Sequence, residues 1–357
     1  MFTRAEELLR EGIEKGLYSG AALGVVKDAS VLTTVYLGKE SFEEEANAID
    51  RETLFDIASL TKIVVTTSIA LRFLDRGLIR LEDTVGYFFQ KEATTTKNIT
   101  IRQLLTHTSG IPAHFLLSSE VEEPSQIIPH ILTRPLEHKP GEVQVYSCMG
   151  YILLGGILAK VSGKSLEDLY KEEVQDVLGL EKAQYGPVEG KVAKTKDLST
   201  REVLSGVVHD ENARFHGGIS ANAGLFSNLE DLLKYTCALV NNGFIDQEFF
   251  ISPVTLDIAR ENYTAGMEQD RGLGFFLAST TGSSFGDLLS KTGFGHTGFT
   301  GTSILMSQDE GIGIVILTNR VLADNDGAEV NRLRALINNA IVSEIITDEV
   351  RDIYLDS

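Results

Sequence analysis

The sequence is poor in cysteine, poor in cations and free of long apolar runs. Only two cysteines occur in 357 residues, Cys148 and Cys237. That number in a large chain points to free thiols rather than a disulfide framework, and the two lack the spacing of a zinc site. His209 and His216 also lack a recognisable ligand spacing, so no metal is expected. Lys and Arg total 32 against 51 Asp and Glu, a net charge of −19. This balance opposes a nucleic-acid backbone or an anionic membrane surface as partner. No apolar stretch reaches the ~18–20 residues that span a bilayer. The opening MFTRAEELLREGIEKG places acidic residues where a signal peptide carries its apolar segment, and reads as an amphipathic helix. The resulting expectation is a cytoplasmic protein. There is no internal repeat and no low-complexity segment.

The remainder is ordinary globular composition, 43% hydrophobic and 23% charged. The length suggests two domains. Apolar periodicity predicts a helix over residues 2–16, then strands over 21–26 and 30–37 joined as a hairpin by Lys27-Asp28-Ala29. Residues 40–50 read as loop. A helix headed by Ser59 runs to about Arg76 and stops at Gly77. Helical patterns follow at 101–105, 126–133, 151–161, 166–178 and 229–241. After about residue 270 the character changes: 272–279, 301–306 and 312–317 are strand-like, with a turn at 308–311, and a final helix covers 328–347. Strand-rich ends around a helical middle predict an α+β fold: one antiparallel sheet from both chain ends, terminal helices packed on it, and an inserted helical part. The expected division is a sheet domain of 1–58 and 265–357 and a mostly helical domain of 59–264, with the active site at their interface.

Three stretches can carry chemistry. In Ser59-Leu60-Thr61-Lys62, positions i and i+3 share one helix face, so a hydroxyl and an ammonium point into the same space. Serine needs such a neighbour to become a nucleophile; taken alone, the pattern is more often an ordinary helix start. Tyr146 in Val145-Tyr146-Ser147-Cys148 precedes a helix, where its phenol can enter a cleft. Beside an ammonium its pKa would fall and a phenolate could act as base. A half-buried tyrosine with one hydrogen bond is the commoner fate. In Gly295-His296-Thr297-Gly298-Phe299, small residues let a substrate approach the backbone, whose N–H groups can bind an oxyanion; a plain glycine-rich turn is the alternative.

Together these stretches resemble the serine hydrolase family of class C β-lactamases, DD-peptidases and penicillin-binding-protein-like esterases. That family carries Ser-x-x-Lys, Tyr-x-Asn and Lys/His-Thr-Gly in this chain order. The segments 104–112, 151–155, 224–227 and 313–319 look familial too. The resemblance implies catalytic Ser59, Lys62 and Tyr146, and a substrate-binding set of His296, Thr297, Gly298, Phe299 and Cys148. Ser59 would attack a carbonyl, and Lys62 and Tyr146 would share the base work with coupled titrations. The N–H groups of Ser59 and Phe299 would form the oxyanion hole. His296 would meet the substrate carboxylate or the leaving group.

Two departures stand out. Cys148 occupies the place of the Tyr-x-Asn amide, which fits esterase-like members better than β-lactamases. A nucleophilic Cys148 is set aside because the sequence shows no paired base. His296 replaces the usual lysine; a literal Lys291-Thr292-Gly293 lies just upstream as a lesser candidate. The stretch 207–213 resembles one in penicillin-binding-protein-like members and would line the site. Asp56 and His107 are expected to be structural, as a helix cap and a loop hydrogen bond.

The function so implied is a cofactor-free serine hydrolase acting through an acyl-Ser59 intermediate on a small ester, amide or peptide, with esters favoured. The alternatives are a D-amino-acid peptidase or β-lactamase activity, and a non-catalytic binding or sensor protein. The last has no need of a complete Ser59/Lys62/Tyr146 set.

Overall fold

The computed structural model describes residues 2–245, 247–323 and 325–355. Six strands form an antiparallel sheet: β1 (Gly20–Lys27), β2 (Ser30–Gly38), β3 (Phe276–Leu277), β4 (Phe294–Thr297), β5 (Ser303–Ser307) and β6 (Ile312–Thr318). Their order is β3-β4-β5-β6-β1-β2, so the N-terminal hairpin pairs with the last strand of the chain. The pairing runs Ala21 to Thr318 through Lys27 to Ile312. The principal helices are α1 (Thr3–Glu14), α2 (Ser68–Asp75), α3 (Cys148–Ser162), α4 (Leu229–Val240) and α5 (Ala328–Leu355).

Alternation along β1 explains the layering. Ala21, Leu23 and Val25 join one apolar cluster with Leu8 and Leu9 of α1 and Leu333, Ile337 and Ile341 of α5. Ala22 and Val26 point the other way, into the larger cluster shared with α2, α3 and α4. A strand covered on both faces reads as a continuous apolar run, as GAALGVV does. Gly24 is required where α4 crosses: a Cβ there would stand 2.7 Å from Leu233 Cδ2.

Several boundaries differ from those expected. The strand-like run 272–279 shortens to Phe276–Leu277 because Gly274 turns with φ +85° and backs onto Thr67, where a Cβ would lie 2.2 Å from Oγ1. Instead Phe294–Thr297 forms a strand, so His296 lies inside β4 rather than at the head of the next strand. The 301–306 strand begins two residues later, at Ser303. The helical middle also contains short ladders: Leu225–Ser227 pairs with both Phe55–Asp56 and Gln184–Tyr185. The last helix continues to Leu355, since no glycine or proline interrupts it. Among the described residues no helix is long and apolar enough to cross a membrane.

Candidate active site

Ser59 sits on a strained turn between the Phe55–Asp56 strand and the helix behind it. Ala58 has φ 46°, a left-handed conformation that an alanine adopts only when its surroundings impose it. Asp56 imposes it: its Oδ1 accepts the Ala58 N–H at 2.8 Å, and its Oδ2 accepts the His209 N–H at 2.7 Å. Burial pushes the Asp56 carboxyl up to about 6. It therefore acts as a turn clamp rather than a conventional helix cap. Residues Lys62–Thr67 then form a wide π-helical turn, a distortion common at functional sites.

This turn brings Lys62 Nζ to 3.0 Å from Ser59 Oγ. Lys62 is wholly buried, yet each of its three protons has an acceptor: Ser59 Oγ, the Asn222 carbonyl at 2.8 Å and Cys148 Sγ at 3.6 Å. Burial opposes the charge, but the negative charge that Cys148 and Tyr146 carry once deprotonated outweighs it and raises the ammonium above its ordinary value.

Tyr146 arrives from a different part of the chain. Ser147 caps α3, its Oγ accepting the Gly150 N–H at 3.1 Å, and Tyr146 directly precedes that cap. His107 holds the segment: its carbonyl accepts the Val145 N–H at 2.9 Å and its Nδ1 accepts the Ser147 N–H at 3.0 Å. Its ring lies between those of Tyr146 and Tyr151, with centroids at 4.5 and 5.0 Å. The Tyr146 ring in turn lies 5.0 Å from Lys62 Nζ. The depressed phenol expected from sequence is corrected here. Burial raises Tyr146 more than Lys62 lowers it, so the phenol keeps its proton at rest.

The β4–β5 turn completes the group. Thr300 Oγ1 donates to the Asp56 carbonyl at 2.7 Å and Thr302 Oγ1 to the Ile57 carbonyl at 3.1 Å. Gly298 permits this approach, because a Cβ there would stand 2.1 Å from Thr302 Oγ1 and 2.6 Å from Ile57 O. Among the described residues neither the Ser59 nor the Phe299 N–H has an acceptor. His296 is 1% exposed, and its Nδ1 lies 2.7 Å from the Thr297 carbonyl. A carbonyl only accepts, so Nδ1 carries the hydrogen and Nε2 presents a lone pair. Burial, then Arg271 and Lys62, keep the ring neutral. This histidine therefore meets a substrate as a neutral hydrogen-bonding group that brings no charge.

Ser59, Tyr146, Cys148, His296, Thr297, Gly298 and Phe299 line one cavity of about 650 Å³. His209, Asp210 and Glu211 of the 207–213 stretch also line it. Lys291 does not; it is exposed in the turn before β4. Sequence reasoning missed two residues. His114 is one: after Lys62, it helps hold the Cys148 thiol below its ordinary value against the cost of burial. The 33 residues between His114 and Cys148 leave no signal of this influence in the sequence. Arg271 lines the same cavity although it is 0% exposed, and no motif marks it.

The Beta-lactamase family model matches residues 5–339. The chain belongs to this family. Members of the Beta-lactamase family are hydrolases, and the chain is read as one of them. It is 27% identical over 360 residues to an N-acetylmuramyl-L-alanine amidase of Bacillus subtilis, spanning 89% of this chain and 80% of that relative. It is likewise 27% identical over 346 residues to a provisionally named D-alanyl-D-alanine carboxypeptidase of Escherichia coli K12, spanning 85% and 79%. The fold is similar to EstCE1, a hydrolase with promiscuous acyltransferase activity, at TM-score 0.77 and 20% identity over 95% of this chain and 97% of that one. It is also similar to the octameric penicillin-binding protein homologue of Pyrococcus abyssi, at TM-score 0.77 and 23% identity over 96% and 77%.

Proposed function

We propose that this Beta-lactamase-family protein hydrolyses small esters, amides or peptides through an acyl-Ser59 ester. The observation that carries the reading is the 3.0 Å contact between Ser59 Oγ and the buried Lys62 ammonium, with Tyr146 beside the same ammonium. In one concerted relay Tyr146 gives its own proton to the departing nitrogen or oxygen, and its oxygen, gaining phenolate character, takes the Ser59 proton as Ser59 Oγ bonds to the substrate carbonyl carbon; the carbon–leaving-group bond then breaks. A phenol that is protonated at rest suits this relay better than a free base would. Lys62 stabilises the phenolate character that develops on the way. The Ser59 and Phe299 N–H groups face the developing oxyanion, and each such donor is worth on the order of 10²–10³ in rate. Water then attacks the ester by the reverse proton path.

Cys148 in place of the substrate-binding amide favours esters over β-lactams. A peptidase of D-amino-acid substrates is the second reading, favoured by the names of the amidase and carboxypeptidase relatives. Incubation with p-nitrophenyl butyrate should give a burst and, by mass spectrometry, a butyryl adduct on Ser59, both absent from Ser59→Ala. A Ser59→Ala protein that keeps wild-type turnover would sink the mechanism. Turnover of a D-Ala-D-Ala peptide with none on esters would reverse the ranking. Failure of every acyl donor to label Ser59 would favour a non-catalytic binder.

A further inference from the structure

Cys148 is a nucleophile that the acyl-transfer path leaves unused. It is the first residue of α3, and its N–H donates to the Ala113 carbonyl at 3.1 Å. Its side chain is partly exposed and lines the cavity, with Sγ 3.6 Å from Lys62 Nζ. A helix N-terminus and an adjacent ammonium both favour thiolate over thiol. Burial and Asp210 work against that charge, yet Lys62, His114 and Asn222 together outweigh them, so the thiol lies below its ordinary value. Asn222 supplies a second, separate observation. It is wholly buried, and its carbonyl accepts Lys62 Nζ at 2.8 Å. Ser220 Oγ donates to its Oδ1 at 2.7 Å, which leaves Nδ2 as the free end of the amide. That Nδ2 meets no acceptor among the described residues, although the side chain acts on the Cys148 thiol. A buried donor without an acceptor is unfavourable. Sulfur accepts hydrogen bonds weakly, whereas a charged oxygen carried on that sulfur accepts them strongly.

We propose that Cys148 is a reversible oxidation site, at which a hydroperoxide converts the thiolate to a sulfenate that Lys62 and Asn222 hold and that stops acyl transfer. The step moves two electrons. Cys148 Sγ attacks the hydroxyl oxygen of the peroxide, and the S–O bond forms as the O–O bond breaks. Sulfur is oxidised by two electrons and the peroxide is reduced by two. The departing hydroxide or alkoxide takes the proton of the new S–OH group and leaves as water or alcohol. The sulfenate oxygen then accepts from Lys62 Nζ and Asn222 Nδ2. Reversal takes a small external thiol. Its sulfur attacks Cys148 Sγ and expels the oxygen as water, and a second thiol frees Cys148 from the mixed disulfide. Cys237 does not serve as an internal reductant. It lines a separate cavity between β2 and α4, and burial pushes its thiol up to about 11.

The site itself stands on the surroundings of the sulfur; its effect on turnover rests on the acyl-Ser59 reading. Lys62 divides its three protons among Ser59 Oγ, the Asn222 carbonyl and Cys148 Sγ. A sulfenate oxygen is the strongest acceptor of that set and draws the ammonium away from Ser59. The charge that supports the proton relay is then spent on the oxidised cysteine.

Hydrogen peroxide applied to the whole chain tests this, with peptide mapping and hydrolysis of p-nitrophenyl butyrate read on the same samples. Dimedone should trap a sulfenic acid on Cys148 about 10-fold faster than on Cys237, or more. Turnover should fall in step with oxidation of Cys148, by about 10-fold or more when oxidation is complete, and dithiothreitol should restore it. Cys148→Ser, compared with its own untreated sample, should lose no turnover to peroxide. Asn222→Ala removes the free donor, so its sulfenate should pass sooner to sulfinic acid, read from the mass of the Cys148 peptide. The wild-type measurements need no variant to fold. Oxidation of Cys237 or of a methionine ahead of Cys148 would overturn the site. Full turnover by protein oxidised at Cys148, or a loss that dithiothreitol does not restore, would overturn the switch. An Asn222→Ala sulfenate as long-lived as that of wild type would overturn the role of Asn222. A Cys148 sulfenate in a protein whose Ser59 never acylates would leave the site standing and overturn only the hydrolase reading.

Discussion

The Thr302 hydroxyl donates to the carbonyl of Ile57 at 3.1 Å, across 245 residues of sequence. This contact and the parallel one from Thr300 to Asp56 tie the β4–β5 turn to the turn that carries Ser59. The candidate oxyanion hole thus depends on two backbone segments held together by threonine hydroxyls.

Gly298→Ala should break that junction. Its Cβ would press on Thr302 Oγ1 and Ile57 O, and both neighbours are held by hydrogen bonds. Turnover of p-nitrophenyl butyrate should fall by about 10²–10³-fold, the cost of misplacing an oxyanion donor. Circular dichroism should remain native. Thr302→Val should be milder, losing about 1 kcal/mol of stability for one buried hydrogen bond. Wild-type burst kinetics in Gly298→Ala would exclude the junction as the determinant of the hole.

Tyr146→Phe removes only the hydroxyl of the proposed relay. Acylation of Ser59 should slow by about 10²–10⁴-fold, the range for a lost general acid–base group. The ring packing against His107 remains available, so the thermal midpoint should change little. Rapid-quench mass spectrometry of the Ser59 adduct reads the rate directly. A Tyr146→Phe variant that acylates normally would transfer the proton work to Lys62.

The two cysteines should differ sharply in reactivity. Cys148 lies 3.6 Å from the Lys62 ammonium, which with His114 holds its thiol below the ordinary value, whereas burial pushes the Cys237 thiol up to about 11. Iodoacetamide near neutral pH should modify Cys148 first and block ester hydrolysis in step. Cys148→Ser should keep its activity through the same treatment. Peptide mapping that finds Cys237 modified first would refute this.

Asp56 should make stability depend on pH. Its carboxyl is raised from 3.8 to about 6 in the folded chain. Below about pH 4 it is protonated in both states. Between the two values the unfolded chain releases the proton while the folded chain retains it, so stability falls as pH rises through 6. The gap corresponds to about 3 kcal/mol. Asp56→Asn cannot titrate there. The stability difference between wild type and variant, from urea unfolding, should move against wild type by about that amount between pH 3.5 and 7. A constant difference would show that Asp56 titrates normally.

Much of this architecture was readable from local pattern. Short β-rich apolar runs mark the N-terminal hairpin and the 312–317 strand, and 3.6-residue periodicity marks α1, α4 and most of α3. The i, i+3 spacing of Ser59 and Lys62 needs one helical turn and nothing else, so their contact was already implicit in the sequence. The β4 strand has no counterpart among the strands expected from sequence because Gly295 and Gly298 weaken its local signal; its place comes from pairing with β5.

What the sequence by itself determined was the inventory: a nucleophile beside an ammonium, a tyrosine at a helix cap, a glycine-permitted turn, and the order in which they occur. What only the tertiary structure decided was their charge. Tyr146 keeps its proton, His296 is neutral, Cys148 is lowered by Lys62 and His114, and Arg271 enters the cavity with two donors that meet no acceptor among the described residues. Periodicity is a property of neighbours in the chain. Desolvation and Coulomb interaction are properties of neighbours in space, and these four side chains acquire theirs only when segments far apart in sequence pack around Lys62 and the cavity beside it.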